Sequence, residues 1–215
     1  MTAGEESLIL ALYDLDAIRF GEYRWQIHDN YPEAPLLPIY TNFRMLQREP
    51  KYKSIAVDLY ESLAEGLEFD LIAGIPTAAI PFASSLSDRI GVGQITPRMD
   101  LKTHGSGASV DGMKPDDKGK IALVLDDLVS FFGSKAQATE ILRDVDLIVT
   151  DAVVLMDYEL GANNEASKHK VVLHSSFKAR QMLDFSLRVG HISQRTFEQV
   201  QERFDRAQEY FRNLL

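Results

Sequence analysis

The chain has 215 residues, of which 45% are hydrophobic and 26% charged, so it is long enough to bury one full-sized core. Its 23 basic and 32 acidic residues give a net charge of 23 − 32 = −9, and an acidic surface without a run of Lys or Arg argues against a nucleic-acid partner. The absence of cysteine excludes disulfides and thiolate metal sites.

The sequence also argues against a membrane protein. No apolar stretch approaches the roughly 20 residues that are needed to span a bilayer. The first residues are acidic ahead of the apolar run, which is the wrong sign for a secretory signal. We therefore expect a soluble cytoplasmic protein with no membrane partner.

The first 50 residues predict an entry lobe, or hood, at one end of a single domain that covers residues 1–215. Apolar residues at helical spacing predict an amphipathic helix over residues 5–19. Three prolines and Asn30 then interrupt residues 20–44, where short β-prone runs predict a small β lobe. Pro50 opens the next predicted helix.

From residue 69 onward, apolar strands alternate with helices. The predicted strands lie at 69–74, 93–97, 121–125, 147–156 and 170–175, and the predicted helices at about 78–89, 134–144, 178–189 and 193–213. This alternation predicts an α/β fold with a mostly parallel central sheet that is flanked by helices. The long polar stretch at about 98–118 is expected to be a flexible functional loop, because it offers no apolar anchor.

Three groups of residues follow the strands and would meet at the carboxyl edge of such a sheet, where ligands of α/β proteins bind. They are Gly74 to Pro76, the cations Arg98, Lys102 and His104, and Asp126, Asp127, Ser130, Gly133 and Ser134. A small-residue turn that opens a helix attracts phosphate, and two carboxylates beside it can accept hydrogen bonds from sugar hydroxyls. An Asp-Asp pair on its own is more often a solvated turn, so the combination carries the prediction.

In this order the segments resemble the type I phosphoribosyltransferases, and specifically orotate phosphoribosyltransferase. The segments that carry the resemblance are residues 20–23, 38–44, 73–81, 98–105, 155–157 and 173–175. The resemblance implies transfer of phosphoribosyl from phosphoribosyl pyrophosphate to orotate, which gives orotidine 5′-phosphate and pyrophosphate in pyrimidine (UMP) biosynthesis. It also implies a homodimer, and Mg²⁺ that is carried by the substrate without a direct protein ligand.

The resemblance further implies a role for individual residues. The expected catalytic residues are Lys102, His104, Asp126 and Asp127. The expected phosphoribosyl pyrophosphate-binding residues are Arg98, Met99, Lys102, His104, Asp126, Asp127, Leu128, Val129, Ser130, Phe131, Phe132, Gly133 and Ser134. Gln26, Ser130 and Tyr158 would contact orotate, and Gly74, Ile75, Thr77 and Ala78 would form the pyrophosphate-side loop.

The chain departs from the family pattern at four places. Met99 and Gln26 stand where lysines are expected, Tyr158 stands where an arginine is expected, and Phe131-Phe132 replace small residues of the phosphate turn. Two alternatives therefore stay open: transfer to another base, or a non-catalytic nucleotide-binding protein on the same fold. At the turn we expect at least one phenyl ring to pack into the core, and an exchange of both phenylalanines for Thr-Gly to tighten binding.

Overall fold

The computed structural model describes residues 1–25, 27–99 and 109–213. The helices are α1 Ala3–Asp14, α2 Ile27–Asn30, α3 Pro50–Ala64, α4 Ile80–Ile90, α5 Gly133–Arg143, α6 Ala162–Lys168, α7 Ala179–Arg188 and α8 Gln194–Arg212. The strands are β1 Ile18–Tyr23, β2 Leu37–Thr41, β3 Leu71–Gly74, β4 Gly93–Pro97, β5 Val110–Asp111, β6 Ala122–Val129, β7 Asp151–Asp157 and β8 Val172–Lys178. Short 3-10 turns lie at Phe43–Arg48 and Pro115–Asp117.

The described strands form two sheets. The larger has the order β5-β4-β3-β6-β7-β8, in which β5 runs antiparallel to β4 and every other pair is parallel. β1 and β2 form the smaller, antiparallel sheet. The predicted α/β fold, with its mostly parallel sheet and small N-terminal β lobe, is confirmed.

Apolar residues cover both faces of the larger sheet, as its continuous apolar strands predict. On one face, Leu123 and Val153 pack with residues of α1, α3, α4, α7 and α8. On the other, Val124 and Val154 pack with residues of α5 and α6. Ile18 and Ile39 of the small sheet belong to the first of these clusters, so the hood shares a core with the sheet.

Several boundaries differ from the prediction. The first helix ends at Asp14 rather than at residue 19, because Ile18 begins β1 and pairs with Thr41. Within the long polar stretch, Val110 is buried and pairs with Pro97, so this part of the stretch adds the short strand β5 to the sheet. The expectation of a flexible loop for residues 100–108 lies outside the described residues.

The structure bears on one part of the membrane prediction, the expected absence of a membrane-spanning helix. Within the described ranges, the structure contains no helix that combines the length and the apolar character needed to cross a bilayer.

Candidate active site

A cavity of about 710 Å³ lies at the carboxyl edge of the parallel sheet, between the sheet and the hood. Residues of the sheet edge and of the turn into α5 form one side, and Arg24, Trp25 and Tyr40 of the hood form the other. This is the place where parallel α/β sheets bind ligands, because strand ends, loops and helix N-termini converge there.

The acidic pair lies on β6 itself. The sequence placed Asp126 and Asp127 beyond the strand end, but β6 continues to Val129 and both carboxylates belong to the strand. The Asp126 side chain meets Lys135 of α5, and the Asp126 carbonyl accepts a hydrogen bond from Tyr60 of α3 at 2.8 Å.

Asp126 is buried and both of its carboxylate oxygens have partners. Oδ1 accepts a hydrogen bond from the Asp127 amide at 2.9 Å, and Oδ2 lies 2.5 Å from Lys135 Nζ. The lysine is itself only 4% exposed, so the two charges compensate each other in the interior. A lone buried charge of either sign would be strongly unfavourable.

Asp127 is in a different state. Burial and the neighbouring Asp126 charge raise the pKa of Asp127 from 3.8 to about 7, although Lys135 and the Leu128 amide act in the opposite direction. Oδ1 of Asp127 accepts the Leu128 amide at 2.8 Å. Among the described residues, no N–H or O–H donor is bonded to Oδ2 of Asp127; a side-chain hydrogen bond with Asp126 also contributes to its raised pKa, and the residue lines the cavity.

The turn from β6 into α5 presents an anion site. α5 begins at Gly133, and no side chain of the described residues caps its N-terminus. The amides of the first helical turn therefore point toward the cavity end without a helical acceptor. Ser130, Gly133 and Ser134 line the cavity at this place.

The rings of the two phenylalanines in the turn pack against the interior of the protein. Phe132 has φ +67°, in the left-handed region that glycine favours, and its ring is buried in the core at 1% exposure. The Phe131 ring packs edge-on against Phe211 of α8, with a centroid distance of 4.1 Å. The expectation that at least one ring turns into the core is confirmed.

Comparison with models of protein families gives no match. Comparison with individual proteins does. The chain is 30% identical over 194 residues to the orotate phosphoribosyltransferase of Pyrobaculum aerophilum, which covers 90% of this chain and 95% of that protein. The bifunctional enzyme PyrF/PyrE of Nostoc is 28% identical over 192 residues, or 88% of this chain and 38% of that one.

The structure of Leishmania donovani UMP synthase superimposes with a TM-score of 0.82 at 28% identity, over 94% of this chain and 42% of that one. The chain thus spans less than half the length of the Nostoc and Leishmania proteins. The structure of the Aeropyrum pernix orotate phosphoribosyltransferase is similar in fold, with a TM-score of 0.71 at 23% identity, over 85% of this chain and 99% of that one.

The chain belongs to the orotate phosphoribosyltransferase family. The extent of the 30% identity to the Pyrobaculum enzyme, along nearly the whole of both chains, decides this. The family assignment made from the motifs is confirmed, and with it the enzyme class, a phosphoribosyltransferase.

The cavity brings together most of the residues that the family resemblance assigned. The predicted site residues that line it are Ile75, Thr77, Ala78, Asp126, Asp127, Leu128, Ser130, Phe131, Phe132, Gly133 and Ser134. Gln26, Lys102 and His104 lie outside the described residues, so their predicted roles in a phosphoribosyltransferase stay predictions.

Tyr158 and Val129 lie elsewhere. Tyr158 is fully buried behind Trp25, with a ring-centroid distance of 4.7 Å, and its hydroxyl donates to the Ile39 carbonyl at 3.2 Å. Burial raises the pKa of Tyr158 well above its ordinary value, so the phenol stays neutral. Val129 is fully buried, and its carbonyl accepts from the Tyr158 amide. Both residues lie in the core rather than at the cavity wall, and their predicted contacts with the ligand stay predictions.

Three further predicted residues do not line the cavity. Arg98 forms an ion pair with Asp111 at 2.5 Å, and the Met99 carbonyl accepts a hydrogen bond from Gln137 at 3.0 Å. Gly74 ends β3 against α4: a Cβ there would lie 2.8 Å from Cβ of Ala83. Its role is therefore close packing, which places the adjoining residues Ile75 and Thr77 at the cavity.

The sequence analysis left several cavity residues without a role. They are Arg24, Trp25, Ile27, Tyr40, Thr41, Arg44 and Lys135. Tyr40, Thr41 and Arg44 lie within the matching segment 38–44, and the other hood residues closely follow the segment 20–23, so their sequence position was the available signal. Lys135 gave none, because a lysine in the first turn of a helix reads as a surface residue.

Proposed function

We propose that the protein transfers phosphoribosyl from phosphoribosyl pyrophosphate to orotate, forming orotidine 5′-phosphate and pyrophosphate in pyrimidine biosynthesis. One observation carries the proposal: a single cavity joins a helix N-terminus without a side-chain cap, the carboxylate pair and two hood arginines, Arg24 and Arg44. Each element suits one part of the two substrates.

The turn at Ser130–Ser134 suits the 5′-phosphate. Amides at the start of α5 and the positive end of its dipole stabilise an anion without a charged side chain. The hydroxyls of Ser130 and Ser134 add donors at the same wall of the cavity.

The acidic pair suits the ribose. A carboxylate oxygen accepts hydrogen bonds from sugar hydroxyls, and its negative charge stabilises the positive charge that develops at the anomeric carbon as pyrophosphate departs. A lid is expected to neutralise the leaving group and exclude water, and the family resemblance gives that role to Lys102 and His104.

Magnesium belongs in the proposal as part of the substrate. When bound to phosphoribosyl pyrophosphate it neutralises diphosphate charge. Of the described residues that line the cavity, only Asp126 and Asp127 are acidic, and the first is held by Lys135. This donor set suits an ion that the diphosphate delivers rather than one held in a protein cage.

The base lies toward the hood in this proposal. Trp25 and Tyr40 offer aromatic surface, and the guanidinium groups of Arg24 and Arg44 suit an anionic base such as orotate, which carries a carboxylate. These arginines offer positive charge in a chain that has Gln26 and Tyr158 where the family pattern has a lysine and an arginine.

The test is the ultraviolet absorbance of orotate on mixing with protein, Mg²⁺ and phosphoribosyl pyrophosphate. We expect orotate to be consumed only when all components are present. The rate of consumption is expected to be at least tenfold lower in Asp127→Asn. Uracil, adenine, guanine and hypoxanthine are run in parallel. Consumption of one of these and not of orotate would replace the proposal by transfer to another base, and binding without turnover would favour a nucleotide-binding protein.

We also propose a cytoplasmic homodimer, as the family resemblance implies. Sedimentation velocity at micromolar concentration is expected to give twice the mass of the 24.2 kDa chain. If the protein is a monomer under conditions where it is fully active, the proposed dimer is refuted and the proposed reaction is unaffected.

A further inference from the structure

Lys135 is a buried cation whose hydrogen-bonding capacity is fully used inside the protein. An ammonium group has three donors. Nζ lies 2.5 Å from Asp126 Oδ2 and 3.3 Å from Ser134 Oγ, and it also donates to the Leu128 carbonyl. These acceptors belong to β6 and to the start of α5, the two elements that the turn connects.

The position is an unfavourable one for a lysine in isolation. Its side chain is 5% exposed, and it lies in the first turn of α5, where the helix dipole disfavours positive charge. The contact with Asp126 offsets both penalties. A side chain in such a place either supports the neighbouring site or weakens the fold.

Because Lys135 binds Asp126, the carboxylates of Asp126 and Asp127 have different hydrogen-bond partners. Asp126 has both oxygens engaged by cationic or N–H donors, Lys135 and the Asp127 amide, whereas among the described residues Asp127 accepts an N–H only at Oδ1 and otherwise meets the side chain of Asp126. Only one of the two carboxylates is therefore ready to accept ribose hydroxyls without losing a contact with a cationic or N–H donor.

We infer that Lys135 is a positioning residue that clamps the phosphate turn and withdraws Asp126 from the ligand, so that Asp127 is the carboxylate that takes the ribose hydroxyls. This inference rests on the proposed function in one respect: phosphoribosyl pyrophosphate is taken as the ligand. The clamp also holds in place a turn whose backbone contains Phe132 in a left-handed conformation.

The charges around Asp127 fix the expected pH dependence. Asp126 on β6 raises the pKa of Asp127, Lys135 on α5 lowers it, and the buried neutral phenols of Tyr60 and Tyr158 face it from α3 and from the end of β7. Arg24 and Arg44 lie across the cavity. Removal of Lys135 takes away a cation that lowers the pKa of Asp127, so Asp127 is expected to ionise at higher pH.

The experiment is calorimetric titration with phosphoribosyl pyrophosphate and Mg²⁺ at pH 6, 7, 8 and 9, without orotate. Lys135→Met is expected to weaken binding about tenfold or more at pH 7, the scale of a lost charge-assisted contact, and to recover part of it at pH 9. Protonation of the ligand affects parent and variant equally, so it does not change the ratio of their affinities at a given pH. Lys168→Met, which removes an exposed lysine of α6, is the matched control and is expected to bind as the parent does.

Two results would overturn the inference. One is parent-like affinity in Lys135→Met, and the other is a loss of affinity that is the same at every pH, which a purely structural lysine would give. If Lys135→Met does not fold, the double variant Asp126→Asn/Lys135→Met removes both charges together. It is expected to bind about tenfold more weakly than Asp126→Asn alone, and equal affinity would overturn the clamp.

The outcomes separate this inference from the proposed function. A parent that binds phosphoribosyl pyrophosphate but does not consume orotate refutes the choice of base, while the comparison of variants still tests Lys135. A parent that does not bind phosphoribosyl pyrophosphate refutes both.

Discussion

Asp127 is a cavity residue whose pKa is raised to about 7. Its raised pKa means that the folded protein holds a proton on Asp127 between the ordinary pKa of 3.8 and about 7, where the unfolded chain has lost it. Rising pH through this window therefore lowers the free energy of unfolding. Each unit by which the pKa in the folded protein exceeds that in the unfolded chain corresponds to about 1.4 kcal/mol in the free energy of unfolding.

Asp127→Asn removes this dependence. We expect the variant to be more stable than the parent at pH 8, because it carries no buried charge there, and to lose this advantage at pH 5. Urea denaturation at the two pH values measures the difference, and Asp88→Asn, at an exposed position of α4, is the control. A stability difference that is equal at pH 5 and pH 8 would show that Asp127 ionises normally.

Phe132 sets two opposing effects against each other. Its positive φ disfavours a side chain by roughly 1–2 kcal/mol, while loss of a buried phenyl ring costs about 3–5 kcal/mol. Burial dominates, so Phe132→Gly is expected to lower the free energy of unfolding by about 2 kcal/mol. The sequence alone predicted that at least one of the two rings packs into the core and that a Thr-Gly exchange tightens binding; the structure shows that Phe132 is fully buried there.

Phe132→Ala is the matched comparison for this prediction. It loses the same ring but keeps a Cβ at a positive φ, so it is expected to be about 1 kcal/mol less stable than Phe132→Gly. Urea denaturation of both variants gives the order. If the alanine variant is the more stable one, the turn is not strained.

Among the elements, the junction of β3 and α4 depends on Gly74. A methyl group there would approach Ala83 Cβ to 2.8 Å, so Gly74→Ala forces the helix away from the strand. We expect a loss of about 1–3 kcal/mol in stability, as in other overpacked cores, and weaker binding of phosphoribosyl pyrophosphate because Ile75 and Thr77 shift. Thermal unfolding and calorimetry measure the two effects.

Gly74→Ala/Ala83→Gly tests the cause. The second change removes the methyl group that the first one meets, so part of the lost stability is expected to return despite the glycine in a helix. A double variant that is less stable than the sum of the single changes would place the conflict elsewhere.

At the scale of the whole molecule, the last helix supports the phosphate turn. Phe211 of α8 is 1% exposed and packs against Phe131 of the turn, which follows β6 by two residues. Phe211→Ala is expected to cost about 3–5 kcal/mol in stability and to weaken binding of phosphoribosyl pyrophosphate. Arg212→Ala, at the exposed neighbouring position, is expected to change neither.

Calorimetry under conditions where Phe211→Ala is folded separates the two effects. Parent-like affinity in this variant would mean that α8 contributes to stability alone. Weaker affinity would show that the turn takes its shape from a helix about 80 residues away in the sequence.

The sequence by itself determined the fold class and the family. Continuous apolar strands such as 121–125 indicate burial on both faces, and the segments near 73–81 and 98–105 carried the family resemblance. It also located the carboxylate pair and the turn after it, because these residues are local in the chain and their chemistry follows from residue type.

Only the tertiary structure decided which of these groups are free to act. The contact of Lys135 with Asp126, the burial of Tyr158 behind Trp25 and the packing of Phe132 each join separate elements or depend on the surrounding core. Local patterns specify which residue types occur and in what order, but hydrogen-bond partners and dielectric surroundings arise from packing. For this reason the sequence alone predicts the same role for Asp126 and Asp127, whereas in the folded protein their contacts differ and the pKa of Asp127 is raised.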